Sequence, residues 1–141
     1  MNSEIWGPHY WSVIHTIAFN YPNQPNDPIK KTHYKFIQDL PTFIPNQTCS
    51  RNFSRLLEIY PVLPYLDSRK DFIKWTHFIH NRVNESLGKD QISLADFYYR
   101  YYNSYKSNDV KDYEAVKKRR MTLYLIIVFL LIVFALHISK K

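Results

Sequence analysis

The apolar positions along this chain recur at the spacing of α-helices, beginning with residues 6–19. Within that segment Trp11, Ile14, His15 and Ala18 stand at i, i+3, i+4 and i+7, so they share one face of a helix. The sequence NYPNQPNDP follows, and its prolines are incompatible with a continuing helix. The pattern predicts a first helix that turns one face toward a core.

Two further segments show the same spacing. Residues 29–40 predict a second helix that ends before Pro41. Its inward face is expected to consist of Tyr34, Ile37 and Leu40. Residues 46–59 predict a third helix, because Pro45 cannot lie inside a helix and Asn46 is a favourable N-cap residue. The apolar stripe of this third helix comprises Cys49, Phe53, Leu56, Leu57 and Tyr60.

A fourth helix is predicted over residues 68–87, since Gly88 stands where the end of a helix favours glycine. Its apolar positions at helical spacing are Phe72, Trp75, Ile79, Val83 and Leu87. A short fifth helix over residues 93–105 begins with Ser93 as N-cap and Asp96 three residues later, as in a capping box. No convincing alternation of apolar and polar positions suggests a strand. The sequence therefore predicts an all-α fold: a four-helix bundle plus a short fifth helix.

Residues 121–139, MTLYLIIVFLLIVFALHIS, contain no charged side chain. As a helix they extend about 28 Å, close to the ~30 Å hydrocarbon core of a bilayer. A helix buried in a protein core would carry polar positions on one face, and none occurs between Tyr124 and His137. The pattern predicts a single C-terminal transmembrane helix, a tail anchor that follows a helical domain of residues 1–105.

The charges around this span predict its orientation. The basic residues that precede it are Lys117, Lys118, Arg119 and Arg120, and those that follow it are Lys140 and Lys141. The positive-inside rule therefore places the domain on the cytoplasmic side of the membrane. Residues 106–120 are polar, so they predict a basic juxtamembrane linker or a helical extension.

The distribution of charge excludes one class of function. The net charge is +7, yet residues 1–105 hold 11 basic and 9 acidic residues, whereas residues 106–141 hold 8 and 3. A nucleic-acid-binding surface needs its basic residues grouped on the folded part, so no nucleic-acid partner is expected. The chain has only 2 glycines, which disfavours a glycine-rich nucleotide loop, and its 1 cysteine excludes an intrachain disulfide.

That cysteine is the candidate for chemistry. With Asn46 as N-cap, Cys49 stands in the first turn of the third helix, near unpaired backbone N–H groups and the positive end of the helix dipole. Arg51 and Arg55 add positive charge, and all these features favour a thiolate. The alternative is an inert buried cysteine.

Three blocks of the sequence resemble the signature blocks of the Erv/ALR family of FAD-linked sulfhydryl oxidases. They are WGPHYWSVIHTIAFNYP (6–22), LPTFIPNQTCSRNF (40–53) and WTHFIHNRVNESLGK (75–89), in the family's order. The resemblance covers about residues 5–105 and is closest to the small versions carried by large DNA viruses. It implies a helical bundle that binds FAD, oxidises thiols of protein substrates with oxygen as acceptor, and forms a homodimer.

The resemblance carries the family's FAD contacts onto eight positions: Gly7, Trp11, His15, His77, His80, Asn81, Asn84 and Lys89. Indole and imidazole rings stack on flat rings, amides offer donors and acceptors, and a lysine meets a pyrophosphate as a point charge. Without the resemblance, Trp11 and Trp75 would be taken for core residues. No metal site is expected, because only the distant Glu85 offers His77 and His80 a further ligand.

The chain departs from the family pattern Pro-Cys-x-x-Cys, since Asn46 replaces the first cysteine and only Cys49 is kept. Three accounts stay open. In the first, Cys49 is the catalytic thiol of a monothiol route, in which a second substrate thiol resolves a mixed disulfide. In the second, the chain is a catalytically lapsed, FAD-binding, membrane-tethered interaction protein. In the third, Asn46 is a structural N-cap in a flavoprotein of other chemistry.

The predicted location is a host or virion membrane, where the domain would form disulfides on the cytoplasmic side. Three Asn-x-Ser/Thr sequons begin at Asn46, Asn52 and Asn84. A domain that faces the cytoplasm does not meet the glycosylation machinery, so we expect these sequons to be unmodified.

Overall fold

The structure is a computed structural model that describes residues 2–138. Its helices, in chain order, are α1 (Ser3–Phe19), α2 (Asp27–Phe43), α3 (Gln47–Ile59), α4 (Arg69–Ser86), α5 (Leu94–Ser104) and α6 (Asn108–Ile138). A short 3-10 turn, Leu63–Tyr65, lies between α3 and α4. No strand occurs in these residues, so the all-α prediction is confirmed.

Side-chain caps explain where most helices begin. The Asn46 Oδ1 accepts a hydrogen bond from the Cys49 N–H at 3.0 Å, so Asn46 is the N-cap of α3 as predicted. Ser68 caps α4 and Ser93 caps α5 in the same way. Asn2 caps α1, which therefore begins three residues before the predicted start. These bonds satisfy N–H groups that have no partner within the helix.

The predicted end of α2 was wrong, because the helix continues through Pro41 to Phe43. Pro41 stands in the last turn, where its missing N–H removes one helical hydrogen bond and leaves the rest of the helix intact. The Pro41 carbonyl accepts from the Ile44 N–H at 3.2 Å and from Ser50 Oγ at 2.7 Å. The second bond ties the end of α2 to the first turn of α3.

The core lies where α1 packs on α4 and where α2 packs on α3. Its fully buried members include Ala18, Ile37, Phe72, Trp75 and Ile79. Two predicted core residues were wrong: Tyr34 is 37% exposed and Leu87 is 50% exposed. Tyr34 falls at the edge of the narrow face that α2 buries around Ile37 and Leu40, and Leu87 follows the last residue of α4, where helical spacing no longer applies.

The chain divides into two compact units, one extending through Tyr99 and the other beginning at Arg100, within α5. In the second unit α6 is one continuous helix, so the segment predicted as a linker is helical from Asn108. An 18-residue window of α6 has a mean hydropathy of 2.8 and none of it is buried, so this helix is long and apolar enough to cross a membrane. The predicted end of the span, Ser139, lies outside the described residues.

Candidate functional site

Three aromatic rings from α1 and α4 stack on one another. Trp11 and His80 have ring centroids 4.1 Å apart with planes 10° from parallel, and Trp11 and His15 are 5.5 Å apart at 16°. His15 Nε2 and His80 Nδ1 are 2.9 Å apart, a hydrogen-bond distance. The sequence predicts part of this arrangement, because Trp11 and His15 stand one helical turn apart. We call these three residues the ring stack.

Within the ring stack, His15 is neutral. It is 8% exposed, and burial, followed by the charges of His80 and His77, lowers its pKa to about 3. One nitrogen of the His15–His80 pair therefore donates and the other accepts. The second ring nitrogen, His15 Nδ1, is buried and has no hydrogen-bond partner in the described part of the chain. A buried polar atom of this kind can bind a ligand.

The ring stack leaves no gap between Trp11 and His80. Two rings that held a third between them would be roughly 7 Å apart, twice the usual contact distance. Their centroids are 4.1 Å apart, so a flat ligand would have to lie on an outer face of the stack. Phe97 of α5 meets His15 edge-on, with centroids 4.6 Å apart and planes at 84°.

Three side chains of α4 bind the backbone of residues 88–92, which we call the 88–92 segment. Asn81 donates to the Ile92 carbonyl at 2.9 Å and accepts from the Ile92 N–H at 3.0 Å. His77 Nε2 lies 2.7 Å from the same carbonyl, so this nitrogen carries a proton and donates. Asn84 donates to the Asp90 carbonyl at 3.4 Å. The resemblance assigns these residues to FAD contact, and in the structure their polar atoms bind this segment.

The two remaining predicted FAD contacts flank this arrangement. Lys89 is exposed within the 88–92 segment, and its N–H donates to the Asn84 carbonyl at 2.8 Å. Gly88 turns the chain at this point with a φ of +67°, a conformation that favours glycine. Gly7 is half-buried in α1, and a Cβ built on it would meet no other part of the described chain within 4 Å.

Cys49 is half-buried in the first turn of α3. Phe53, one turn later on the same face of α3, is buried and meets Trp11 edge-on with centroids 6.2 Å apart. The face of α3 that carries the thiol is thus turned toward the ring stack. The contacts of Phe53 and Phe97 were missed, although both stand in predicted helices, because helical spacing does not say which helices meet. Residues 2–138 hold no group of three metal-ligating side chains.

Comparison with known proteins identifies the family and the fold of the chain. The Erv1/Alr family model matches residues 8–103. A probable FAD-linked sulfhydryl oxidase of Acanthamoeba polyphaga mimivirus is 33% identical over 97 residues, 68% of this chain and 68% of the relative. The FAD-linked sulfhydryl oxidase of African swine fever virus (isolate Warthog/Namibia/Wart80/1980) is 32% identical over 110 residues, 77% of this chain and 87% of the relative. The chain spans only 46% of the similar Arabidopsis thaliana protein.

A solved structure has the same fold. The crystal structure of the FAD binding domain of Erv1 from Saccharomyces cerevisiae superposes with a TM-score of 0.68 at 25% identity. The superposition covers 75% of this chain and 99% of the yeast chain. The helical bundle described above is therefore shared with a domain that binds FAD.

Proposed function

The chain belongs to the Erv1/Alr family, as its three sequence blocks indicate, and on this premise we propose that it is an FAD-linked sulfhydryl oxidase of the viral type. It oxidises thiols of protein substrates to disulfides, with oxygen as the acceptor. One observation carries the proposal: Phe53, on the Cys49 face of α3, contacts Trp11 of the ring stack. This contact supports assigning the only thiol and the aromatic rings to one site.

The residues around the ring stack fit an FAD molecule. The unpartnered His15 Nδ1 and the open space beside Gly7 are both features that a ligand would fill. The isoalloxazine or adenine ring would lie on an outer face of the ring stack, where aromatic contact is favourable. Lys89, which is exposed, would meet the pyrophosphate as a point charge.

The α4 side chains support this site indirectly. Because the polar atoms of His77 and Asn81 are used on Ile92, we assign these residues to positioning and not to ligand contact. Asn84 and the turn at Gly88 fix the backbone on either side of Lys89. The role of these residues is then to hold the cation of Lys89 where the phosphates of the cofactor would lie.

Cys49 is the residue that we assign to the thiol chemistry. Its Sγ forms a mixed disulfide with a first substrate thiol, and both sulfurs lose their protons. Forming this disulfide releases two electrons, and FAD bound at the ring stack would supply the oxidising power for it, with oxygen as the final acceptor. A second substrate thiolate attacks the substrate sulfur, forms the substrate disulfide and releases Cys49 as a thiolate. Because Asn46 supplies no resolving thiol, substrates with two neighbouring thiols are favoured.

The proposal includes a location and an assembly. We propose that α6 anchors the chain in a host or virion membrane, with the preceding residues on the cytoplasmic side. The unburied apolar surface of α6 supports the anchor. The basic residues that precede the apolar stretch support the orientation. Two copies form a homodimer. The exposed apolar side chains of Ile5, Val13 and Phe43 support such an interface, because a monomer in water rarely gains from exposing them.

Flavin absorbance and oxygen consumption test this function. The purified full chain in detergent should be yellow and should consume oxygen when dithiothreitol is added. Cys49→Ser should lose oxygen consumption and keep the flavin absorbance, while Thr48→Ser, in the same turn, should keep both. A yellow parent protein that consumes no oxygen would favour the FAD-binding interaction protein. A colourless protein that takes up no added FAD would contradict the cofactor.

A further inference from the structure

Four consecutive basic residues occupy one turn of α6: Lys117, Lys118, Arg119 and Arg120. We call them the basic ring. Successive residues of an α-helix are rotated by about 100°, so the four side chains point in four directions and surround the helix. All four are exposed, and α6 continues through them without a break. The ring therefore presents positive charge on every side of the helix at one level.

Among the described residues, no ion pair offsets the positive charge of the basic ring, because the nearest carboxylate, that of Glu114, pairs with Lys106. Glu114 stands three and four positions before Lys117 and Lys118, where an ion pair on a helix would form. Both oxygens of Glu114 instead lie 2.7 Å from Lys106 Nζ. The corresponding positions before the two arginines hold no acidic residue. Within residues 2–138, no ion pair involves the ring.

The basic ring also stands at the point where α6 becomes apolar. Met121 begins the uncharged stretch directly after it. Thr122 Oγ donates to the Lys118 carbonyl at 3.0 Å, so its hydroxyl is satisfied within the helix and needs no water. Tyr124 follows, and tyrosine is enriched at the level of lipid headgroups. The change from a charged turn to an apolar surface fits the boundary between headgroups and hydrocarbon.

We propose that the basic ring binds the headgroups of anionic phospholipids in the leaflet where α6 enters the membrane. The proposal rests on the membrane anchoring proposed above. Basic side chains next to a membrane-spanning helix attract anionic lipids, and the attraction acts over about a Debye length. A lipid is favoured over a soluble acidic partner, because the apolar stretch holds the ring at headgroup depth on all sides of the helix.

Spin-labelled lipids test this selectivity with the full chain. The chain is reconstituted into phosphatidylcholine vesicles that contain a minor fraction of phosphatidylserine, and electron spin resonance measures how strongly the protein restricts each labelled lipid. Phosphatidylserine should be restricted several-fold more than phosphatidylcholine. The preference should vanish when all four ring residues are changed to Gln, and should persist when Lys31, Lys35, Lys70 and Lys74 are changed to Gln, which removes the same charge from the other unit.

The outcomes separate the lipid site from the anchor. Equal restriction of both lipids by the parent chain, or equal loss of preference in the control variant, would overturn the lipid site and leave the anchor standing. If the parent chain restricts neither labelled lipid, both the anchor and the lipid site are overturned. If the ring variant does not insert into the vesicles, a salt titration of the parent chain takes the place of that variant. The preference for phosphatidylserine should fall as the salt concentration rises. A preference that does not depend on salt would overturn the proposal.

Discussion

At the scale of single residues, the buried imidazole of His15 makes the stability of the bundle depend on pH. Burial, followed by the charges of His80 and His77, lowers its folded-state pKa from 6.5 to about 3. Between these values the unfolded chain binds a proton at His15 and the folded chain does not, so the folded state loses stability as the pH falls from 6.5 toward 3. Below pH 3 both states are protonated, and no further loss arises from this residue.

The size of this effect is a first prediction. Between pH 7 and pH 5, His15 should lower the free energy of unfolding by about 2 kcal/mol. Urea unfolding of the full chain in detergent, followed by tryptophan fluorescence, measures it against His15→Gln, in which this part of the pH dependence should be missing. His9→Gln, an exposed histidine of the same helix, should retain it. Parallel pH curves for the parent and His15→Gln would contradict the assignment.

Asn46 carries a second prediction, in which stability and rate move in opposite directions. The Asn46 side chain caps the Cys49 N–H, and a cysteine at this position would lose that bond, at a cost of about 1 kcal/mol. The same change supplies a resolving thiol three residues from Cys49. Asn46→Cys should therefore raise dithiol-driven oxygen consumption by at least about tenfold, since an adjacent thiol replaces one that arrives by collision.

The matched variant for this test is Asn46→Ser, which keeps a capping oxygen and adds no thiol. Its stability and rate should both stay near those of the parent. If Asn46→Cys and Asn46→Ser consumed oxygen at equal rates, the resolving step would not limit turnover, and the monothiol route would have no kinetic disadvantage to remove.

At the scale of elements, the bonds between α4 and the 88–92 segment carry the third prediction. Asn81→Asp keeps the acceptor for the Ile92 N–H but places a carboxylate oxygen against the Ile92 carbonyl. A buried acceptor without a donor costs about 1–3 kcal/mol, so this variant should be destabilised and should bind FAD more weakly. Hydrogen exchange of the Ile92 amide should become faster, which measures the loosening of the segment directly.

Asn23→Asp makes the same chemical change at an exposed loop position and serves as the control. It should leave both the exchange rate of the Ile92 amide and the melting temperature unchanged. An unchanged exchange rate in Asn81→Asp would show that the segment is held by other contacts, and would return Asn81 to the group of direct ligand contacts that the resemblance implies.

The same elements show which features the sequence predicts and which it does not. Local chemistry was predictable: the Asn46 cap, the glycine past the end of α4 and the capping box at Ser93 each depend on a few adjacent residues. The end of α2 was not predictable from adjacent residues. Pro41 is tolerated in the last turn of this helix, and the contact with Ser50 of α3 holds that turn in place. Side-chain spacing placed Trp11 and His15 on one face.

The partners across helices escaped prediction. His80 stacks on Trp11, and Phe53 contacts the same indole ring edge-on. Asn81 hydrogen-bonds to Ile92. The residues in these contacts are 11 to 69 positions apart in the sequence. Such contacts depend on how the helices pack, and helical spacing within one segment carries no information on that packing. The resemblance assigns Trp11, His80 and Asn81 to FAD contact, and it does not state which atoms their polar groups bind.

At the scale of the whole molecule, the ring stack and the apolar helix belong to different units. The unit that extends through Tyr99 contains the whole ring stack, Cys49 and the 88–92 segment. The uncharged stretch lies in the other unit, within α6. The proposed redox site and the proposed membrane contact thus lie in separate parts of the chain, and removal of one should leave the other working.

A truncation after Arg120 tests this separation. It keeps α5 whole and removes the apolar surface of α6, so the shortened chain should be soluble without detergent, should bind FAD and should show the oxygen consumption of the parent. The full chain should stay with membranes after carbonate extraction, since about 27 Å of uncharged helix from Met121 onward matches the hydrocarbon core. A control truncation after Leu136 keeps most of that stretch and should remain in the membrane. If the chain that ends at Arg120 stayed with the membrane after carbonate extraction, residues 1–120 would hold the membrane without the apolar stretch. If it lost FAD, the cofactor site would depend on the apolar part of α6.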